Sequence, residues 1–136
     1  MDISMENYLI TIYRFYEKQQ DKLKGIRSVE IASELKISKP SVSSMIKKLT
    51  NLNYLKSEPY SKIFFTKKGL TYAKKLIHNH RIIEVFLRNI LELDVADIHK
   101  EAHILEHAFS DKVIKKLNLF LNNPQMSPYR KKISQI

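Results

Sequence analysis

Apolar residues recur at intervals of three and four along most of this chain, a spacing that is typical of amphipathic α-helices. The 136 residues include only two glycines and four prolines, a composition that favours helices over turns and strands. The spacing predicts helices over about 5–18, 28–35, 38–49, 67–91 and 111–122, and a fifth helix that follows Asp94 and carries residues 99–107. Ser4, Ser38 and Asp94 are the expected N-caps of the first, third and fifth helices. The predicted fold is therefore mostly α.

A three-residue turn at 36–38 separates the second and third helices, which predicts a helix-turn-helix. Pro40 lies in the first turn of the third helix, where the missing amide hydrogen costs little. Two short β-prone runs follow at 54–58 and 63–66, and they predict a hairpin. A helix-turn-helix that is followed by a hairpin is the winged form of this motif.

The positive charge of the chain is concentrated in the same region. The formal net charge is +10, and residues 36–76 hold ten lysines and one acidic residue, Glu58. Clustered positive charge is typical of a protein that binds a phosphate backbone. We expect Ser38, Pro40, Ser41 and Ser44 to face the DNA groove, and Arg27, Lys39, Lys47 and Lys62 to contact phosphates. The alternative is that the lysines only solvate an exposed surface.

All five histidines lie between residues 78 and 107. His99, His103, Glu106 and His107 fall within an arc of about 100° on one helix. On the preceding helix, His80 and Glu84 are one turn apart. Imidazole and carboxylate donors suit a first-row divalent metal ion, and the absence of cysteine excludes thiolate ligands.

His78 is two residues from His80, so it lies on the opposite side of the helix and we exclude it from the metal site.

Three other interpretations of these residues remain open. The remaining histidines could be hydrogen-bonded helix residues, and His99 and Glu84 could form such a pair. The segment 103–107 also matches the His-x-x-Glu-His motif of some zinc proteases, although a small zinc hydrolase would leave the lysine-rich region without a role. A winged-helix regulator that needs no metal is the third alternative.

The length allows one ordinary domain or two small ones. No apolar run is long enough to span a membrane, and the first residues lack the pattern of a signal peptide. We therefore expect a cytoplasmic protein with no membrane partner.

The order of these motifs resembles the metal-dependent repressors of the diphtheria toxin repressor and manganese transport regulator family, in a short form without the SH3-like domain. The likeness runs from Ser4 to about Phe120 and includes Met5-Glu-Asn-Tyr-Leu-Ile-Thr-Ile-Tyr13 and Ser38-x-Pro-Ser-Val-Ser. The resemblance implies a winged helix-turn-helix DNA-binding domain over 1–70 and a helical metal-binding and dimerisation domain over 71–136. It also implies a homodimer without enzymatic activity that binds a palindromic operator in double-stranded DNA and represses metal-uptake genes, with Mn(II) or Fe(II) as corepressor.

The resemblance also implies the ligands of two metal centres. One centre would use His103, Glu106 and His107 together with Asn7, and the other would use His80, Glu84 and His99. The chain departs from the family at three positions. His103 stands where the family has cysteine or glutamate, Asn7 where it has methionine or aspartate, and Ile10 where manganese-responsive members have a glutamate ligand.

Overall fold

The computed structural model describes residues 1–134, without the side chain of Ser61, and confirms the mostly α fold. The helices are α1 (Ile3–Lys18), α2 (Ser28–Leu35), α3 (Lys39–Asn51), α4 (Lys67–Asn89), α5 (Val95–Leu105) and α6 (Asp111–Phe120). The strands are β1 (Ile26–Arg27), β2 (Leu55–Glu58) and β3 (Lys62–Phe65). No helix within residues 1–134 is both long and apolar enough to cross a lipid bilayer.

The backbone divides into two compact units, residues 1–74 and residues 75–136. In the first unit, α1 buries Met5, Leu9 and Ile12 on the apolar side that the spacing predicts. The predicted N-cap Ser4 is wrong. The helix begins two residues earlier than predicted, because the Asp2 carboxylate accepts a hydrogen bond from the amide of Met5 at 2.8 Å and a negative charge is also favourable at a helix N-terminus.

The helix-turn-helix forms as predicted. Lys36 ends α2 in the left-handed conformation, with φ of 54°. Ser38 then caps α3, since its Oγ accepts a hydrogen bond from the amide of Ser41 at 3.3 Å. The apolar side of α3 is buried at Val42, Ile46 and Leu49, so the opposite side of the helix faces solvent.

The predicted hairpin is present, and a third strand joins it. β2 and β3 are antiparallel and are connected by a tight turn at Pro59–Ser61. The additional strand, β1, pairs with the other edge of β3, which gives the strand order β1-β3-β2. Sequence periodicity missed β1 because two residues are too few to show an alternating pattern.

The second unit contains most of α4 together with α5 and α6. Its main apolar cluster consists of Ile83, Leu87, Ile98, Ala102 and Ile114. Asp94 is the N-cap residue of α5, as predicted, but its side chain makes no capping hydrogen bond.

The last three helices end earlier than predicted. α4 ends at Asn89 and α6 at Phe120, each two residues earlier than predicted. α5 ends at Leu105, so Glu106 is its C-cap and His107 lies in the following turn. Glu106 keeps helical backbone angles, and its amide still donates to the carbonyl of Ala102 at 2.9 Å. The side chain of Glu106 therefore keeps nearly its predicted direction.

Gly69, near the start of α4, provides a test of how closely this helix approaches the backbone of Tyr54. A Cβ atom at this position would lie 1.8 Å from the backbone oxygen of Tyr54, so we expect Gly69→Ala to lower the free energy of unfolding by about 1–3 kcal/mol. Denaturant unfolding would measure this change. Thr71→Ala, at an exposed position of the same helix, is the matched control and should stay within about 0.5 kcal/mol of wild type. Equal stability of Gly69→Ala and wild type would contradict the close approach.

Candidate functional site

The candidate DNA-binding surface is the solvent-facing side of α3 together with the hairpin. All eight predicted contact residues are exposed: Arg27, Ser38, Lys39, Pro40, Ser41, Ser44, Lys47 and Lys62. The Ser38 hydroxyl donates to the Ser41 hydroxyl at 2.8 Å while it caps the helix. The proton of the Ser41 hydroxyl is therefore left to donate to another acceptor.

The sheet places two of the predicted phosphate contacts side by side. Arg27 on β1 and Lys62 on β3 are directly paired across the antiparallel strands, and both are exposed. Glu58 is the cross-strand partner of Lys62 on its other side. The sequence predicted each cation separately, but it could not predict their pairing because β1 has no detectable pattern.

The first candidate metal cluster is built around the carboxylate of Glu106. His103 Nδ1 lies 2.9 Å from Glu106 Oε1, and His107 Nε2 lies 3.4 Å from the same oxygen. The Glu106 side chain is 3% exposed, whereas that of His103 is 50% exposed. This cluster therefore has a buried carboxylate and one imidazole at the surface.

The second candidate cluster consists of His80, Glu84 and His99. His80 and Glu84 are buried side by side on α4, with His80 Nε2 3.4 Å from Glu84 Oε2. His99 on α5 is exposed, and its ring contacts the His80 ring edge to face with 5.2 Å between the ring centroids. In each cluster, one ligand atom from every member lies within 4.8 Å of the others.

A hydrogen bond from His80 to Glu106 connects the two clusters. His80 Nδ1 is 2.5 Å from Glu106 Oε2, so the carboxylate of Glu106 contacts three imidazoles through its two oxygens. Both ring nitrogens of His80 face carboxylate oxygens, and both can donate only when the ring is protonated. Burial lowers the pKa of His80, but the hydrogen bonds and charges of Glu106 and Glu84 together raise it above its ordinary value.

These clusters fit a divalent transition metal. A buried carboxylate beside several imidazoles is a donor set that first-row ions bind well. Each cluster also combines a buried carboxylate with an imidazole that an ion can reach from solvent. Apart from Asn7, the residues predicted for each centre from the resemblance are the residues that the fold brings together within the second unit, and their role as metal ligands stays a prediction.

Asn7, Ile10 and His78 were also singled out from the sequence. Asn7 is half-buried on α1 in the first unit, and its role as a ligand also stays a prediction. Ile10 is only 3% exposed and belongs to the core of the first unit. His78, which we excluded from the metal site, donates from Nδ1 to the backbone oxygen of Ser134 at 2.7 Å, and burial lowers its pKa.

One contact with the second cluster could not be predicted from the sequence. The ring of Tyr129 lies edge to face with the ring of His99, with 6.5 Å between the centroids. Tyr129 follows the last helix in a segment that has no helical or strand periodicity, so only the folded structure relates it to the candidate site.

Two family models match the chain over nearly its whole length. The model described as iron dependent repressor, N-terminal DNA binding domain matches residues 2–63. The model described as iron dependent repressor, metal binding and dimerisation domain matches residues 66–135.

Similar proteins agree with these matches. An uncharacterised HTH-type transcriptional regulator of Methanocaldococcus jannaschii is 39% identical over 121 residues, which cover 89% of this chain and 94% of the relative. The HTH-type transcriptional regulator MntR of Shouchella clausii is 35% identical over 108 residues, covering 79% of this chain and 71% of MntR. Among solved structures, the manganese regulator SloR matches with a TM-score of 0.82 and 37% identity over 96% of this chain. The present chain covers 59% of the SloR chain.

The contact between His80 and Glu106 can be tested in the metal-free protein. Glu106→Gln removes a negative charge from beside the His80 ring, so we expect the pKa of His80 to fall. Histidine ring signals in an NMR pH titration with a chelator present would measure it. Glu101→Gln, at an exposed position of α5, is the matched control and should leave the pKa of His80 unchanged. If the two variants gave the same pKa for His80, the buried contact would be wrong.

Proposed function

The chain belongs to the iron-dependent repressor family of metal-dependent transcriptional repressors, as the sequence predicts, and from this premise we propose that Mn(II) or Fe(II) is its corepressor. In this proposal, the protein is a cytoplasmic homodimer that binds a palindromic operator and represses genes for metal uptake. We assign DNA binding to residues 1–70, and metal binding and dimerisation to residues 71–136.

The observation that carries this proposal is the buried carboxylate of Glu106 among three imidazoles. An ionised carboxylate is costly to bury unless charged or hydrogen-bonding groups surround it, and here His80, His103 and His107 do so. The proposed ligands of one centre are His103, Glu106 and His107 with Asn7, and those of the other are His80, Glu84 and His99. A bound divalent ion would supply positive charge that holds these donors together.

The choice between Mn(II) and Fe(II) depends on the donor atoms. The two clusters contain four imidazoles and two carboxylates. Carboxylate-rich sites suit Mn(II), whereas imidazole is a good ligand for iron, so the replacement of a family cysteine or glutamate by His103 supports Fe(II). SloR, a similar protein, is described as a manganese regulator, which supports Mn(II).

The geometry of the first unit supports sequence-specific DNA binding. The solvent-facing side of α3 presents small hydroxyl side chains, Ser41 and Ser44, beside Lys47, and a helix of this type fits the major groove. A homodimer presents two such helices related by a twofold axis, which is why the proposed operator is a palindrome.

In the proposed mechanism, metal binding changes the population of conformations. Asn7 belongs to the first unit and the other proposed ligands belong to the second, so a centre that includes Asn7 would tie the DNA-binding unit to the metal-binding unit. If the DNA-competent arrangement has the higher affinity for metal, metal binding shifts the protein toward that arrangement by the difference in binding free energy.

The zinc hydrolase alternative does not account for the geometry of the motif. As a general base, Glu106 would have to activate a water molecule beside the metal. Its carboxylate is instead buried, and both of its oxygens contact histidines. The relatives described above are named as transcriptional regulators.

The corepressor role can be tested by measuring operator binding with Mn(II), Fe(II), Co(II) and Zn(II) in turn, by fluorescence anisotropy. We expect at least one of the proposed corepressors, Mn(II) or Fe(II), to raise the affinity of the wild type at least about fivefold, the low end of typical allosteric coupling. His107→Ala should lose this response and keep weak nonspecific DNA binding, because it removes a proposed ligand but leaves the winged motif intact.

Glu101→Ala, at an exposed position of α5, is the control for this experiment and should respond to metal as the wild type does. Operator affinity that no metal changes would support the metal-free regulator instead. A full response in His107→Ala would refute this residue as a ligand.

Phosphate contact by the hairpin is tested by Lys62→Ala. Loss of one phosphate contact should lower the affinity for all DNA sequences and reduce the slope of log affinity against log salt by about one per side chain. Salt titrations with operator and nonoperator DNA would measure both effects. Lys112→Ala, an exposed lysine of α6, removes the same charge outside the proposed surface, and an identical change in its slope would contradict the assignment.

A further inference from the structure

The segment after α6 folds into a small C-terminal hairpin, residues 125–133. Met126 and Lys132 form an antiparallel bridge, and the amide of Ile133 donates to the carbonyl of Gln125 at 2.8 Å. Ser127 closes the turn, because its amide donates to the carbonyl of Lys131 and its hydroxyl accepts from the amide of Lys131. These bonds fix the position of Tyr129 within the turn.

The C-terminal hairpin is attached firmly to α4. Ile133 is 2% exposed and packs in a cluster with Ile82 and Val85. The buried side chain of Arg81 donates from Nη1 to the carbonyl of Lys132 at 2.9 Å. An apolar contact and a charge-assisted hydrogen bond therefore hold the hairpin to the helix that carries His80 and Glu84.

Tyr129 extends from this hairpin to α5 and contacts the helix in two ways. Its hydroxyl donates to the carbonyl of Val95 at 2.7 Å, and its ring lies edge to face with the ring of His99 at an interplanar angle of 85°. Val95 is four residues before His99, so its carbonyl is the one that accepts the backbone amide of His99 within the helix. Tyr129 thus contacts both the side chain of His99 and the helical turn that carries it.

His99 is the member of the second cluster whose side chain is not held in place by burial. His80 and Glu84 are buried, whereas His99 is exposed, and exposed side chains change rotamer on a faster timescale than buried ones. A contact that restricts the His99 rotamers keeps its donor nitrogen in one position. Less conformational entropy is then lost when this nitrogen binds a metal ion.

We propose that Tyr129 is a positioning residue for His99 in the second metal centre. This inference rests on the proposed function, because it requires that His80, Glu84 and His99 bind a metal ion. In this role the Tyr129 ring sets the orientation of the His99 imidazole, and the Tyr129 hydroxyl holds the first turn of α5 against the C-terminal hairpin. Partners that orient a ligand in this way typically change metal affinity by about 10- to 100-fold when they are removed.

The test is titration of the metal-free protein with Co(II) alone, followed by calorimetry and by the visible absorption of the bound ion. We expect wild type to bind two Co(II) ions per chain. His99→Ala identifies the second centre, because it should lose one of the two. Tyr129→Ala should weaken that same ion about 10- to 100-fold and leave the affinity for the other unchanged. Tyr129→Phe keeps the ring and should show a smaller loss, and it also guards against a folding defect in Tyr129→Ala.

Lys131→Ala, at an exposed position of the same hairpin, is the matched control and should bind both ions as wild type does. If Tyr129→Ala binds both ions with wild-type affinity, or loses affinity for both equally, the positioning role is overturned and the proposed function is unaffected. If wild type binds fewer than two ions, the second centre itself is wrong and the positioning role fails with it. The metal response of operator binding, measured as above, separates that result from failure of the corepressor proposal.

Discussion

The arrangement of the second unit depends on a carboxylate that is buried at the end of α5. Removing a carboxylate from water has an effective cost of several kcal/mol even after the protein relaxes, so Glu106 must be surrounded by groups that offset this cost. His80 from α4 and His103 and His107 from the α5 end do so, and His80 Nδ1 is only 2.5 Å from the carboxylate. Each of these residues is also a candidate ligand. The groups that stabilise the buried charge are therefore the groups that the proposed function requires.

The apolar core of the second unit places the Glu106 carboxylate next to His80 on α4. Ile83 and Leu87 on α4 pack in one cluster with Ile98 and Ala102 on α5, and this packing fixes the rotation of both helices. On α4, the polar residues His80 and Glu84 are one turn apart and both are buried. The buried side of α4 therefore carries ionisable residues as well as apolar ones. The apolar contacts supply the rigidity, and the ionisable residues supply the candidate donor atoms.

Helical periodicity predicted most of this arrangement because it is a property of local sequence. His80 and Glu84, and His99 and His103, are separated by one turn, so their common direction follows from the helix alone. The division of the histidines into two clusters came from the family resemblance. The hydrogen bond from His80 to Glu106 could not be predicted from spacing, because 26 residues separate the partners and only the packing of α4 against α5 brings them together.

The errors of the sequence analysis also have local physical causes. Ser4 and Asp2 are both good caps, and the choice of Asp2 was decided by a hydrogen bond to the amide of Met5 rather than by residue type. Strand β1 exists because β3 offers a free edge, and its two residues carry no pattern of their own. The C-terminal hairpin is held by backbone hydrogen bonds and by Arg81, neither of which leaves a periodic trace in the sequence.

The two clusters are connected through their buried residues, and each cluster has its own exposed imidazole. Glu106 contacts His80, and His80 contacts Glu84, so the buried members of both clusters form one continuous chain of contacts. On the solvent side, His99 and His103 are both exposed and lie one turn apart on α5. In both clusters the exposed imidazole is therefore the donor nearest to solvent, and the carboxylates are buried behind it. Because His80 belongs to one cluster and contacts the carboxylate of the other, any rearrangement of Glu106 also changes the surroundings of His80.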